Sequence, residues 1–426
     1  MPPAAARLLR TYVGLTLLST LASSFIWGVN TLFLLDAGLT ITEAFAANAF
    51  FTLGQVLFEV PTGVVADTVG RRASYLLGAI TLLVGTLVYL GLWAFHGPFW
   101  GWAVASIGLG LGFTFFSGAT EAWLVDGLAA TGYRGTLDAA FARGQLAQGI
   151  GMLVGTLAGG VAAQLGNLGV PYLLRCAALM LTFAWAALAM RDLGFTPRRD
   201  QTVGRAVREI LRASIDRGLR NPPARWVMLA GLVAGGVPIF AFYAMQPWLL
   251  QLTGRSDAYA IAGGAAGLVA LAQVGGGWLV PRIMRRVRRR TSALLAATAI
   301  GAACLCGLAL IPRLGPALAL LALWSFAFWA TFPVRQAYLN ALVPSAQRAT
   351  VLSFDNLLAS AGGAAAQPAL GRLAERAGYP AAFLACAAVQ LLAVPFLLRA
   401  RRLGAEADRA EGGGTAPGEG KAPTSG

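Results

Sequence analysis

The feature that most constrains this chain is a series of apolar stretches, each about as long as a lipid bilayer is thick. A membrane-spanning helix needs ~20 mostly apolar residues. Twelve such stretches stand at about 11–35, 44–66, 73–94, 99–127, 138–163, 170–190, 225–250, 257–281, 292–311, 315–342, 349–371 and 379–398. Lipid offers no hydrogen bonds, so each stretch must satisfy its own backbone, and the expected fold class is an all-α integral membrane protein. The first stretch follows Arg7 and Arg10 as a signal peptide would. It runs on past Trp27 to Leu35, too long for a cleaved segment, and eleven more spans follow.

Only 12% of the 426 residues are charged and 57% are hydrophobic, whereas soluble domains carry ~25% charged residues. That balance excludes an ordinary soluble enzyme and a disordered chain. The net charge of +15 would suggest nucleic acid if it covered a surface. The basic residues instead gather in short runs between spans, which reads as membrane topology with no nucleic-acid partner. With both termini on one side, 26 of the Lys and Arg fall on that side and four on the other, at Arg255, Arg313, Arg372 and Arg376. The positive-inside bias therefore predicts cytoplasmic termini in a plasma (inner) membrane. Arg143, Arg175 and Arg335 lie within spans.

Cys176, Cys304, Cys306 and Cys386 sit in apolar stretches without metal-ligand spacing and read as buried thiols. The one histidine, His96, falls in a loop, so neither a metal site nor a His-based triad is expected. No Gly-xxxx-Gly-Lys-Ser/Thr run occurs. No cofactor is expected, and the energy for any work must come from a gradient.

Residues 191–224 are the longest polar interruption, dividing a six-span half at 1–190 from another at 225–402. The interruption opens with Thr196, Pro197, Arg198 and Arg199. It continues as an amphipathic helix with Val203, Val207, Ile210 and Leu211 on one side and Arg205, Arg208 and Arg212 on another. That helix is read as lying on the inner leaflet, or else as a partner-binding segment. Residues 403–426 are Gly, Ala, Glu and Pro-rich and read as a disordered cytoplasmic tail. A faint repeat supports two halves. Glu121-Ala-Trp-Leu followed by Arg134-Gly-Thr-Leu matches Gln336-Ala-Tyr-Leu followed by Arg348-Ala-Thr-Val-Leu, at offsets of 215 and 214 residues. Parallel halves of this kind are a transporter design.

Between the second and third spans stands Gly63-Val-Val-Ala-Asp67-Thr-Val-Gly70-Arg71-Arg72. Gly63 and Gly70 are expected to permit a tight turn, and the arginines to pair with carboxylates. This segment resembles the signature loop of the major facilitator superfamily of secondary transporters, and Glu59-Val-Pro61-Thr62 before it is similar to a bacterial subgroup. The resemblance implies twelve spans in two pseudo-symmetric halves. It also implies an inner-gate latch in which Asp67 faces the start of span 11 and the arginines reach Asp126 near the inner end of span 4. The matching segment of the second half, Gly275 to Arg286, keeps glycines and arginines but has no aspartate. Gly151, Gly155, Gly159 and Gly160 in span 5 resemble the antiporter motif of drug-efflux members, with Thr156 in place of its proline. A glycine stripe for close helix packing is the alternative.

Ionisable groups in lipid are costly and need a reason. Glu59, Glu121, Arg143, Arg335 and Asp355 are candidates for proton coupling or for gating ion pairs, with Glu121–Arg143 and Arg335–Asp355 expected to meet. Trp27 and Asn30, and Tyr243 and Gln246, share helix faces at i, i+3 and are candidates for a cavity wall, or for aromatic core packing. Trp324 and Trp329 add aromatic surface. The expected function is alternating-access transport of a small molecule by a monomer, as proton-coupled export of a lipophilic or drug-like compound. An uptake permease for a metabolite is the alternative. A membrane-embedded enzyme or a non-transporting scaffold fits poorly, because outer loops are short and carry no clustered carboxylates.

Overall fold

The computed structural model describes residues 2–117, 119–197, 203–343 and 348–409. Arg198, Arg199, the side chains of Ile210, Leu211 and Arg348, and the tail from 410 onward lie outside the described residues. The helices are α1 Pro3–Trp27, α2 Asn30–Asp36, α3 Ile41–Thr68, α4 Arg71–Ala94, α5 Phe99–Thr114, α6 Ala119–Ala130, α7 Leu137–Leu165, α8 Val170–Ala189, α9 Val203–Ser214, α10 Pro222–Ala234, α11 Gly236–Thr253, α12 Tyr259–Arg286, α13 Arg290–Leu310, α14 Leu314–Leu342, α15 Arg348–Leu391 and α16 Val394–Arg402. Among the described residues the only extended pairing is an isolated bridge between Arg289 and Arg409.

Eleven segments are long and apolar enough to cross a membrane, the longest being Val351–Arg402 with 52 residues. A helix of that length is roughly 78 Å long at 1.5 Å per residue, more than twice the ~30 Å hydrocarbon core. It folds back at Gly378, whose φ of 83° is not helical, so its two arms make separate crossings and the total is twelve. The loop expected between spans 11 and 12 is reduced to that single bend. Arg372, Glu375 and Arg376 stand on the helix before it.

Several expected spans are pairs of helices. Span 1 breaks at Gly28 and Val29 between α1 and α2, span 4 breaks after Thr114, and span 7 bends at Gly235. Side chains satisfy some of the backbone freed at the span 4 break. Thr62 Oγ1 donates to the Thr114 carbonyl (3.2 Å) and Ser74 Oγ to the Phe115 carbonyl (3.1 Å).

Twelve crossings bring both chain ends to one face, here the terminal face, opposite the far face. The two sets of six spans meet along a seam whose close contacts lie toward the far face. A Cβ on Gly160 of α7 would lie 2.7 Å from Gly263 Cα of α12, and one on Gly28 would lie 2.9 Å from the same atom. Few hydrogen bonds cross the seam. The Thr42 N–H donates to Glu375 (2.7 Å), the Ala260 N–H to Gln164 (3.3 Å) and Gln367 Nε2 to Thr52 (3.3 Å). Toward the terminal face lie two cavities, of ≈ 230 Å³ lined by the first half and ≈ 310 Å³ within the second.

Residues 403–409 depart from the expected disorder. A 3₁₀ turn, Glu406–Asp408, docks on the start of α13. Asp408 is 3% exposed. Its carboxylate accepts the Thr291 N–H (2.8 Å) and Oγ1–H (2.9 Å), while Arg290 Nη1 donates to the Ala407 carbonyl (2.6 Å). The cause is local. Arg289 holds the N-cap position of α13 and offers no acceptor, so the first free N–H groups take their cap from the tail. Asp408→Ala should therefore destabilise the protein by about 1 kcal/mol, read as a lower thermal midpoint in detergent. Removal of 410–426 should leave the midpoint unchanged.

Candidate functional site

On α1, Thr16, Ser19, Thr20 and Ser23 recur at i, i+3, i+4 and i+7, which puts four hydroxyls on one helix face. That face lines the first cavity together with Thr120, Glu121, Gln145 and Gln148, and Trp27 lies at its deep end. Glu121 is the one carboxylate in this wall. The expected Glu121–Arg143 pair is not formed. Both side chains are exposed, and among the described residues neither makes an ion pair. Water in an open cavity screens both charges and removes the need for a partner.

The second cavity differs in character. Its wall carries Ile239, Trp324, Phe328 and Phe332 beside a buried ion pair. Arg335 Nε reaches Asp355 Oδ2 (2.8 Å) and Arg335 Nη2 reaches Asp355 Oδ1 (2.5 Å), a bidentate fork. The guanidinium occupies the space a side chain at Gly231 would fill. Here the pair is largely shielded, and breaking it would leave a buried charge.

Of the four cavity candidates on spans 1 and 7, two are buried in hydrogen bonds, and one of these bridges the seam. Gln246 is 0% exposed. Its Nε2 donates to the Trp27 carbonyl (2.7 Å) and its Oε1 accepts the Thr31 N–H (2.9 Å), bridging the break between α1 and α2. Asn30 is also buried, donating to Asn48 Oδ1 (2.9 Å) and accepting from Tyr172 (2.9 Å). Trp27 lines the first cavity, and Tyr243 is half-buried on α11. Trp324 lines the second cavity; Trp329 does not.

The 63–72 segment is a charge cluster closed by residues that follow span 6. Gly70 has φ 131°, a conformation that needs glycine. Arg71 pairs with Asp67 (2.5 Å) and lies 3.9 Å from Asp126. Its guanidinium stands 5.7 Å above the Phe195 ring. Arg72 Nη2 donates to the Ala187 carbonyl (2.7 Å), and the Arg72 N–H donates to Asp192 (3.0 Å). A Cβ on Gly63 would meet nothing within 4 Å. The turn thus depends on Gly70 and not on Gly63. Glu59 accepts the Ser117 hydroxyl (2.6 Å) beside the break in span 4. In α7, Gly151, Gly155 and Gly159 pack on α1, and Gly160 packs on Gly263.

Two groups escape the sequence reading. The hydroxyl stripe on span 1 was legible in its spacing. Asp192 and Phe195 had no local signal, since their partners lie some 120 residues earlier.

A family model described as Major Facilitator Superfamily matches residues 13–366. No curated protein matches the sequence. Among solved structures, the nucleoside transporter NupG superposes with TM-score 0.76 at 11% identity, covering 92% of this chain and 98% of its own. A bacterial homologue of the human lysosomal transporter Spinster, inward-facing and occupied, gives 0.73 at 14% identity, covering 96% and 100%. A D-xylose–proton symporter gives 0.67 at 17% identity, covering 92% and 96%.

Burial pushes the Asp192 carboxyl above its ordinary range, against the opposing pull of the Arg72 N–H and the two arginine charges. The folded state then holds this proton more tightly than the unfolded chain. Its contribution to stability is greatest in acid and declines as pH rises from about 4 through the raised value. Asp192→Asn should keep the cap on α4 and flatten that decline, whereas Asp192→Ala should also flatten it and cost about 1 kcal/mol in acid, with a smaller cost at neutral pH. Thermal midpoints of the three proteins across acid to neutral pH check both.

Proposed function

The chain belongs to the Major Facilitator Superfamily, and we propose that it exports a small amphiphilic molecule by alternating access coupled to protons. It is a multi-pass membrane transporter and not an enzyme. The observation that carries the proposal is the one-sided seam. Glycine contacts and a few hydrogen bonds close it toward the far face, while a cavity lined by the first half, with Glu121 its one carboxylate among the described residues, lies toward the other.

The arginine-rich segments support a cytoplasmic terminal face in an inner (plasma) membrane. The acting unit is a monomer in lipid. Residues 1–190 and 225–402 move as two halves about the seam, with 191–224 as the tether between them. The substrate class follows from the two cavity walls, one of hydroxyls and amides and one aromatic. Glu121 is the proton carrier. The Asp67–Arg71–Asp126 cluster is the gate on the terminal face. The glycines of α7 that resemble an antiporter motif support export. A hydroxyl-lined wall also suits a polar metabolite, so an uptake permease is the second reading.

Proton flux in energised everted vesicles separates the readings. Export predicts substrate-triggered alkalinisation of the lumen, absent from vesicles without the protein. Uptake predicts instead that substrate alkalinises the medium around right-side-out vesicles. Glu121→Gln should abolish the proton signal while the protein still inserts, and an unchanged signal would move the carrier to Glu59. Gly263→Leu, which collides with the α7 backbone, should block closure of the far face and stop transport without loss of expression.

A further inference from the structure

The preceding reading has no use for Arg175. It stands on the second turn of α8 from the far end and is 5% exposed. Nε donates to Thr86 Oγ1 (3.0 Å), its one hydrogen-bond partner among the described residues. The ionisable groups around it are Tyr172, Cys176, Tyr89 and Tyr243, with no carboxylate among them. The nearby phenols are engaged elsewhere. Tyr172 donates to Asn30 (2.9 Å) and Tyr89 shares a hydrogen with Ser106 (2.5 Å). The other arginines within spans do not share this predicament, since Arg335 has Asp355 and Arg143 is exposed. A guanidinium has five donors, so most of these have no acceptor, in the setting where an unpaired charge is most costly.

Its place in the fold supplies a reason to keep it. Thr86, Tyr89 and Tyr172 belong to the first half, but Tyr243 comes from α11 of the second. Geometry links Arg175 to the seam through its neighbour Tyr172, whose partner Asn30 precedes Thr31, the residue tied to Gln246 of the second half. Tyr243 stands three residues before Gln246, the residue that ties α11 to the break in span 1. Opening the far face must release that tie and withdraw Tyr243, which leaves the guanidinium facing the opening. We propose that Arg175 is the binding site for an anionic group, a carboxylate or phosphate, offered when the far face is open and enclosed when it closes. A planar fork of donors matches such a group in two-point contact. This deepens the transporter reading and rests on its alternation, for it gives the amphiphilic substrate an acidic end. A free inorganic anion has the same chemistry.

The test is anion binding by the full-length protein in lipid nanodiscs, read as the thermal unfolding midpoint against a bulky sulfonate background at fixed ionic strength. The probes are benzoate, inorganic phosphate and chloride. Benzoate or phosphate should raise the midpoint of the wild type in a concentration-dependent way. Arg175→Gln should lose the shift and Arg175→Lys should keep part of it. Arg175→Met, closer in shape, serves if the Gln variant misfolds. A shift with benzoate but not chloride assigns the site to an acidic solute, whereas an equal shift with chloride assigns it to an inorganic anion. Absence of any shift in the wild type, or a shift that survives in Arg175→Gln or Arg175→Met, would overturn the proposal and leave Arg175 a structural charge. The readout needs no transport, so a failed proton-flux assay and a failed anion assay point to different errors.

Discussion

A helix in lipid keeps its backbone hydrogen bonds to itself, and wherever a span is broken the freed groups need side chains to replace water. This constraint sets the positions of the polar residues in the first half. The break at Gly28 and Val29 is bridged by Gln246 from the opposite half, which takes one donor and gives one in return. The break in span 4 is served by Thr62 and Ser74. A broken span is weaker along its axis than an intact one, and its backbone approaches a cavity more closely. Spans 1 and 4 gain that property only because other helices supply the missing partners. The splint across span 1 is also a bond across the seam, so the stiffness of that span and the closure of the far face are one interaction.

The same economy governs the terminal face. Asp192, just after span 6, accepts the Arg72 N–H at the start of span 3. Asp408, just after span 12, accepts the Thr291 N–H at the start of span 9. The two aspartates are 216 residues apart, close to the 215 that separate Trp123 from Tyr338 in the sequence repeat. Trp123 Nε1 donates to the Arg191 carbonyl (2.7 Å), and buried Tyr338 packs in one apolar cluster with Ala407. The repeat thus marks a shared device, in which an aromatic of the fourth span in each half steadies the segment that caps the third. The second half lacks an aspartate in its own 275–286 segment, yet its third span is capped in the same way as the first half's, by Asp408.

Much of the fold was legible because lipid imposes a simple code. Span number followed from apolar length, and the signature run ending in Arg71 and Arg72 sufficed for the family. The site was less legible. The i, i+3 spacing of Trp27 and Asn30 presumed an unbroken helix, but the helix breaks between them, and spacing cannot say whether an amide such as Gln246 faces substrate or a broken backbone. Glu121 and Arg143 looked alike in depth to Arg335 and Asp355, yet only the second pair is shielded enough to need contact. The hydroxyls at Thr16, Ser19, Thr20 and Ser23 were readable and went unread. In a lipid-facing helix such residues bond back to their own carbonyls, as Ser19 and Ser23 do, so a stripe of them looks inert until the neighbouring helices are known.

The seam itself has the energetics a moving part requires. Its far-face contacts are glycine against glycine, the Phe45 ring on Phe240, and hydrogen bonds, of which each neutral one contributes only about 0.5–1.5 kcal/mol net. No salt bridge crosses it among the described residues. The strong ion pairs, Asp67–Arg71 and Arg335–Asp355, lie within one half each, so neither bridges the joint in this conformation. Bodies held by charge and a joint held by close packing separate cleanly, because the joint breaks without stranding a charge from either side. Arg175 is the exception at that joint, a charge with no carboxylate partner among the described residues while the far face is shut. Opening therefore costs it nothing and offers it water or an anion, which biases the joint toward the conformation that the closed contacts resist.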